Sequence, residues 1–384
     1  MQKRKICILV NSRANYARIK TVLSEINNKS NLELQLVIGA SAVLDRFGDL
    51  TKIIKKDGFK IAGKIYSIVE GENPTTMAKS TGLAIIELST LFENLKPNIV
   101  LTVADRFETL STAIAASYMN IPLAHTQGGE VTGSIDESVR HAITKLSNIH
   151  FPATKKAYKN LLKMGENPKN VYLTGCPSID LAKKIDPTIP NNFFTKYGGV
   201  GPKIDPKRPY LVVLQHPVTT EYGKGIKQIN ETINAINYIK IQTVWLWPNV
   251  DAGSDEISKG LRTFREIKKP KLIHFYKNFS PEDFLKLIKN CSCIIGNSSS
   301  AIREGSYLGI PAVNIGTRQK GREHGKNIIF TDYKSKNILR AIKYQIQKNK
   351  PKQEKIFGDG NSGKKIANIL SNVKIKIQKQ LNYK

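Results

Sequence analysis

Short apolar runs rich in β-branched residues alternate with amphipathic stretches along this chain, and the alternation occurs twice. In the first half the runs are Ile6–Val10, Leu34–Ile38, Ile99–Val103, Pro122–Ala124 and Val171–Thr174, with helical periodicity between them, as at Ile19–Ile26 and Met77–Leu95. In the second half they are Tyr210–Leu214, Val244–Trp247, Leu272–Phe275, Cys293–Ile295 and Ala312–Ile315, with helical patterns over Gly225–Ile239, Pro281–Lys289 and Asn337–Lys348. A strand that is apolar throughout must be covered on both faces, and alternating helices supply that cover for a parallel sheet. The pattern therefore predicts an α/β chain with two doubly wound, Rossmann-like domains.

The boundary between them shows as a change of composition. Residues Asp186–Pro209 contain Pro187, Pro190, Pro202, Pro206 and Pro209 together with Gly198, Gly199 and Gly201. That density breaks regular elements and places a hinge near 180–210. The expected domains are 1–185 and 205–355. Beyond them, Ile366, Ile369, Leu370 and Val373 form a helical apolar stripe with no strand after it, so 356–384 is expected to carry a terminal helix docked on a neighbouring surface.

Composition narrows the class. At 384 residues the chain is long enough for two or three domains, and 40% hydrophobic content excludes a mostly disordered one. No apolar run reaches the ~18 residues a spanning helix needs, so no membrane partner is expected. The start, Met1–Val10, is basic and then apolar, but the apolar run stops at Asn11 without a small-residue cleavage site, which fits a buried first strand better than a leader. Four cysteines, without a CxxC pair, suggest neither a disulfide framework nor structural zinc, and point to a reduced, cytoplasmic protein. The net charge of +29 admits nucleic acid as a partner. However, the surplus is mainly lysine, heaviest beyond Thr331, with no Arg-rich block interleaved with aromatics. Nucleic-acid binding is therefore not expected.

In open α/β sheets ligands bind beyond the carboxyl ends of the strands, and two such domains bind in the cleft between them. After the first run comes Asn11–Tyr16, which lacks the GxGxxG fingerprint. Arg13, ahead of a helix N-terminus, can hold phosphate, or it is a surface arginine beside a Ser12 or Asn15 cap. After Ile99–Val103 come Asp105, Arg106 and Glu108, which are costly to bury unless paired with each other or used. The segment His125–His141 is the densest, with Gln127, Glu130, Asp136, Glu137 and Arg140 among three glycines. A capped helix with solvated charges is the plain alternative to a site there.

In the second half, His216 at a strand end can bind phosphate or transfer protons, unless it is structural. Pro248–Asp251, including Asn249, follows the next run. Gly296–Glu304 has the small hydroxyls and helix start of an anion nest, though Ser298 and Ser299 could simply cap. Glu304 could accept from a ribose diol, and Arg318 and Arg322 follow Ala312–Ile315. The ligand implied is a phosphate-bearing nucleotide, met by acid and base groups. No DxD, Walker A loop, Ser-His-Asp or Cys-His arrangement is present, and neither a metal nor a cofactor is called for.

Over nearly its whole length the chain resembles the hydrolysing UDP-N-acetylglucosamine 2-epimerases. The resemblance rests on Arg13–Tyr16, Asp105–Glu108, Gly128–Arg140, Ala142–Leu146, Gly175–Pro177, His216-Pro217, Gly296–Glu304 and Asn314–Arg322. It implies a GT-B architecture, with a nucleotide sugar in the cleft and the C-terminal helix returning to the first domain. It further implies that Arg13, Arg106, His216, Asn249, Ser298, Ser299, Glu304 and Arg318 hold the substrate and that Asp105 and Asp136 do acid/base work. The reaction implied converts UDP-N-acetylglucosamine and water to N-acetylmannosamine and UDP through a 2-acetamidoglycal, in a homodimer or homotetramer.

Two positions depart from the family pattern. His125-Thr126-Gln127-Gly128-Gly129-Glu130 stands where the family reads His-Ile-Glu-Gly-Gly-Glu, and Asn15 stands for the Asp of Arg-Ala-Asp-Tyr. A carboxamide cannot accept and return a proton. Either Glu130 or Asp136 takes over from Gln127, or the chemistry or substrate has shifted, for instance to UDP- or GDP-linked N,N'-diacetylbacillosamine on the route to legionaminic-type sugars. The readings from other classes are a GT-B glycosyltransferase and a non-catalytic nucleotide-sugar binding protein.

Overall fold

In the first half, β1 (Arg4–Val10) leads through α1 (Arg13–Asn27), β2 (Leu32–Ile38), α2 (Leu50–Lys56), β3 (Ile61–Lys64), α3 (Pro74–Leu95), β4 (Ile99–Val103), α4 (Phe107–Tyr118), β5 (Leu123–Thr126), α5 (Asp136–Leu146), β6 (Ile149–Phe151) and α6 (Lys155–Lys163) to α7 (Pro177–Lys183). The second half runs through β7 (Tyr210–Leu214), α8 (Gly225–Ile239), β8 (Gln242–Leu246), α9 (Ser254–Lys268), β9 (Ile273–Tyr276), α10 (Pro281–Asn290), β10 (Cys293–Gly296), α11 (Ser299–Leu308), β11 (Ala312–Ile315), β12 (Ile328–Thr331), α12 (Ser335–Gln347) and α13 (Ser362–Asn372). This computed structural model describes residues 3–45, 50–103, 105–374 and 376–382. The sequence-expected ranges 1–185 and 356–384 also take in positions 1–2, 46–49, 104, 375 and 383–384, which lie outside the described residues.

Each half is built on one six-stranded parallel sheet, in the orders β3-β2-β1-β4-β5-β6 and β12-β11-β10-β7-β8-β9. Ile8 of β1 pairs with Leu36 of β2 and with Leu101 of β4, and Gly296 of β10 pairs with Leu214 of β7. The central strands are buried on both faces, as their unbroken apolar runs require: Ile6–Val10 is buried at every residue. The first sheet reverses its direction of growth between β1 and β4, the second between β7 and β10. Crevices at such reversals are where open α/β sheets receive ligands. The two doubly wound halves make a GT-B-like α/β fold.

The ends of the elements follow their caps. Ser12 Oγ accepts the Asn15 N–H at 3.2 Å and starts α1, a cap of the kind worth about 1 kcal/mol. From α13, Ile366, Ala367 and Leu370 are fully buried in the apolar cluster that contains Ile19, Val22, Leu23 and Ile26 of α1. The N-terminus of α13 is held by Asp180 of α7, whose carboxylate accepts the N–H groups of Ser362 and Gly363 at 2.8 and 2.7 Å. Among the described residues no helix is long and apolar enough to cross a membrane.

The structure departs from the sequence-derived elements mostly at the sheet edges. β3, β6 and β12, all edge strands, are absent from the apolar runs: β3 and β12 are partly exposed, and β6 is only three residues long. The run Val171–Thr174 is not a named strand. Val171 makes an isolated bridge to His150, and Tyr172 N–H reaches the His150 carbonyl, but Pro152 has no N–H to continue the ladder. His125 and Thr126 belong to buried β5 rather than to the loop after it.

Candidate functional site

The cleft opens at the carboxyl ends of β1, β4, β7 and β10 and encloses about 260 Å³. Arg13, Asp105, Arg106, Asp136, His216, Asn249, Ser298, Ser299, Glu304 and Arg318 all line it. Gln127 and Glu130 do not. Leu181, Trp247, Phe279, Phe284 and Leu285 add an apolar wall.

The second half contributes hydrogen-bond donors and cations. Gly296 has φ +126°, and a Cβ there would overlap the Leu214 carbonyl, so only glycine lets β10 approach β7 this closely. The next residue, Asn297, uses its side chain as a bracket. Its Oδ1 accepts His216 N–H at 2.7 Å and its Nδ2 donates to His216 O at 2.8 Å. Ser298 then caps α11 through Ser300 N–H, while Ser299 Oγ accepts from Arg18 of α1 across the cleft. His216 Nδ1 accepts Asn249 N–H at 3.3 Å, which leaves Nε2 to carry the proton. Burial first, then the Arg318 and Arg106 charges, push His216 down to about 3, so it is a neutral donor at physiological pH.

The first half contributes carboxyl groups with opposed environments. Asp105 forms a buried ion pair with Arg140 of α5. Burial opposes its ionisation, but Arg140, Arg322 and Arg18 outweigh it and hold the carboxyl well below the ordinary range. Asp136, the first residue of α5, is pushed up to about 6 by burial and by the Asp105 charge, against Arg318 at 3.8 Å. One carboxyl stays ionised while the other can carry a proton near neutrality, a division that separates base from acid. Glu108 is buried behind Arg106 and rises to about 7, chiefly through desolvation.

Gln127 and Glu130, both candidates for catalysis in the sequence, sit behind the cleft wall. Gln127 is 1% exposed; its Oε1 accepts from Arg303 Nη2 at 3.1 Å, and its Nε2 lies 3.5 Å from Cys176 Sγ. Glu130 Oε2 binds Arg303 at 2.5 Å and Arg322 at 2.7 Å, both from the second half. Burial opposes its ionisation, but Arg303, Arg322 and Arg140 bring it to about 2. Both side chains are consumed in a charge network joining the two halves. Asn15 is also occupied: its Oδ1 accepts Asn11 N–H at 3.3 Å and its Nδ2 reaches Val103 O at 3.4 Å. A carboxylate there could accept the first bond but not donate the second.

Several contributors were not singled out as site residues. Arg18, Arg140, Arg303 and Asp251 act through partners far away in sequence. Phe279 and Phe284 follow β9, where the strand-end rule alone pointed without any chemistry-bearing motif. Within the cleft wall, Asn249 Oδ1 and Glu304 Oε2 are buried and have no hydrogen-bond partner among the described residues, whereas the buried Arg106 guanidinium is ion-paired with Glu108 and Asp251. Buried polar atoms without a partner are uncommon in folded proteins, and both of these residues line the cleft. Among the described residues no group of three or more His, Cys, Asp or Glu is placed to hold a metal ion.

A family model described as UDP-N-acetylglucosamine 2-epimerase matches residues 24–371. UDP-N,N'-diacetylbacillosamine 2-epimerase (hydrolyzing) of Legionella pneumophila is 30% identical, over 98% of this chain and 97% of its own. UDP-N-acetylglucosamine 2-epimerase of Neisseria meningitidis serogroup B is 31% identical, over 96% and 95% respectively. The crystal structure of a Neisseria meningitidis UDP-GlcNAc 2-epimerase bound to UDP-GlcNAc superposes with a TM-score of 0.76, covering 95% of this chain and 99% of that one at 19% identity.

Proposed function

The chain belongs to the UDP-N-acetylglucosamine 2-epimerase family, and from that premise we propose that it is a hydrolysing nucleotide-sugar 2-epimerase, turning UDP-N-acetylglucosamine and water into N-acetylmannosamine and UDP. The observation that supports this most is the division of charge across the cleft. Arg13, Arg106, Arg318, neutral His216 and the Ser298–Ser299 loop suit a diphosphate leaving group, and the Asp105–Asp136 pair suits proton exchange at the sugar.

The C2 proton of a 2-acetamido sugar is weakly acidic, so its removal must accompany departure of a stabilised leaving group. Asp105, held ionised, takes that proton while the C1–O electron pair leaves with UDP, giving the 2-acetamidoglycal. Asp136 then delivers a proton to the opposite face of C2, water supplies the C1 hydroxyl and its remaining proton returns to Asp136, and Asp105 sheds the proton taken from C2 to solvent, where its arginine partners favour the ionised form. Glu130 and Gln127 have no step here, since both are spent on Arg303. Glu304, with an unpaired oxygen in the cleft wall, is assigned to the ribose diol.

A second substrate, UDP-N,N'-diacetylbacillosamine, is favoured by the Legionella relative, whose identity to this chain is nearly that of the Neisseria one. The test incubates purified protein in D2O with UDP-N-acetylglucosamine, UDP-N,N'-diacetylbacillosamine and its GDP-linked counterpart, and follows each by NMR. Free nucleotide with a free sugar deuterated at C2 is expected from at least one. No free nucleotide and no C2 deuterium from any of the three would overturn the proposal, and nucleotide release that waits for an added acceptor would indicate a glycosyltransferase instead.

A further inference from the structure

Asp251 lies in the turn between β8 and α9, is 6% exposed, and does not line the cleft. Its carboxylate nevertheless touches three residues that do. Oδ1 lies 2.8 Å from Arg106 Nη2, from the first half. Oδ2 accepts from Asn249 Nδ2 at 2.6 Å and lies 3.6 Å from Arg318 Nη2, both from the second half. The same turn is gripped again two residues on: Gly253 N–H donates to Glu72 O at 2.9 Å, and Ser254 Oγ donates to the Glu72 carboxylate.

A buried carboxylate is expensive unless it compensates other buried charge. Here it faces two guanidiniums, one from each half, and both can meet an incoming diphosphate only if they are held apart and aimed before it arrives. We propose that Asp251 is a positioning residue for the reaction assigned above, acting through Arg106 and Arg318 so that closing the two halves and placing the cations that receive the leaving diphosphate are a single event. Asp251 touches neither sugar nor phosphate. Its counter-charge shares the two guanidiniums with Glu108, 3.3 Å from Arg106 Nε, and with Asp136, 3.8 Å from Arg318, so that neither arginine is held by those acids alone.

Asp251 also acts on the cleft carboxyl. The charged groups that shift Asp136 are Asp105 after β4, Arg318 after β11, Asp251 and Arg106 ahead of α4; the two acids raise it and the two arginines lower it. Neutralising Asp251 removes one negative charge and frees Arg318 to approach Asp136. Both changes make Asp136 give up its proton at lower pH.

The test compares full-length Asp251→Asn and Asp251→Glu with the wild-type chain. For Asp251→Asn, kcat is expected to fall at least tenfold, and the alkaline limb of the pH profile to move to lower pH. By calorimetry the Kd for UDP should stay within threefold of wild type or tighten, because two guanidiniums have lost their resident counter-charge. Asp251→Glu, which keeps the charge, should turn over at least fivefold faster than Asp251→Asn. A kcat for Asp251→Asn within threefold of wild type would overturn the inference, as would Asp251→Glu being no better than Asp251→Asn. So would parallel loss of kcat, UDP binding and Tm, the mark of a merely structural ion pair. Absence of turnover by the wild-type chain would overturn the reaction instead. UDP binding weakened more than tenfold by Asp251→Asn would overturn the role of Asp251 whatever the reaction.

Discussion

Replacing Asp136 by Asn should make the protein more stable and catalytically silent. The folded chain holds this carboxyl at about 6, against 3.8 for a free aspartate side chain, because burial and the neighbouring Asp105 charge penalise its ionised form. That difference corresponds to about 3 kcal/mol between the two protonation states. The sign follows from linkage. The folded state binds the proton more tightly than the unfolded one, so the stability associated with this residue is present below pH 3.8 and lost as pH rises through 6. At pH 7.5 wild-type Asp136 is therefore ionised at nearly the full cost, and Asn removes that cost. Asp136 stands in the first turn of α5, where an acid gains roughly 0.3–1 kcal/mol from the helix dipole, so the net gain should be about 2 kcal/mol. Urea unfolding at pH 7.5 and pH 4 measures it. The mutant should be the more stable at pH 7.5, and its advantage should shrink to below about 1 kcal/mol at pH 4, where the wild-type carboxyl is protonated in the fold. Turnover, followed as nucleotide release, should fall by at least 10²-fold, the scale of one lost proton-transfer group. A mutant less stable than wild type at pH 7.5, an advantage that does not change with pH, or turnover within tenfold of wild type would refute the reasoning.

Glu130→Gln should show the converse pattern, losing about 3 kcal/mol in denaturant unfolding because Arg303 and Arg322 remain buried without their counter-charge, while kcat at low temperature stays within tenfold of wild type. Gln127→Glu should not raise turnover on any nucleotide sugar, since the side chain lies behind the cleft wall; a measured gain would place that carboxylate in the chemistry after all. Gly296→Ala should cost about 2–3 kcal/mol by forcing β10 away from the Leu214 carbonyl, and should weaken UDP binding at least tenfold in calorimetry by displacing the Ser298–Ser299 loop.

The central strands were legible because burial on both faces writes an uninterrupted apolar run. Ile99–Val103, Tyr210–Leu214 and Ala312–Ile315 coincide with β4, β7 and β11. Edge strands have no such signature, since Ile61–Lys64 alternates half-buried with exposed residues and reads like a loop. The cleft residues were legible for a topological reason: Arg13, Asp105, His216 and Ser298 each follow a strand, and parallel sheets bring all such ends to one side. What could not be read was which polar side chains would be consumed internally. Glu130 carries the same carboxyl chemistry as Asp136 on paper, and Gln127 stands at the position where the family carries a carboxylate. Only the fold shows that Arg303, 176 positions from Gln127, has claimed both of them. Asp251 was passed over for the same reason, as its first-half partner Arg106 becomes a neighbour only when the halves meet.

The Asn297 bracket bears on how such proteins can be recombined. Because one side chain satisfies both the N–H and the carbonyl of His216, the histidine turn and the serine turn behave as one rigid cassette. A chimera that imports either turn alone from a relative with different backbone spacing would strand two main-chain groups in the interior, while grafting β7 through α11 as a block would carry the joint with it. Exchange of specificity by recombination should therefore tolerate crossovers in the 184–209 connection far better than crossovers between residues 216 and 297.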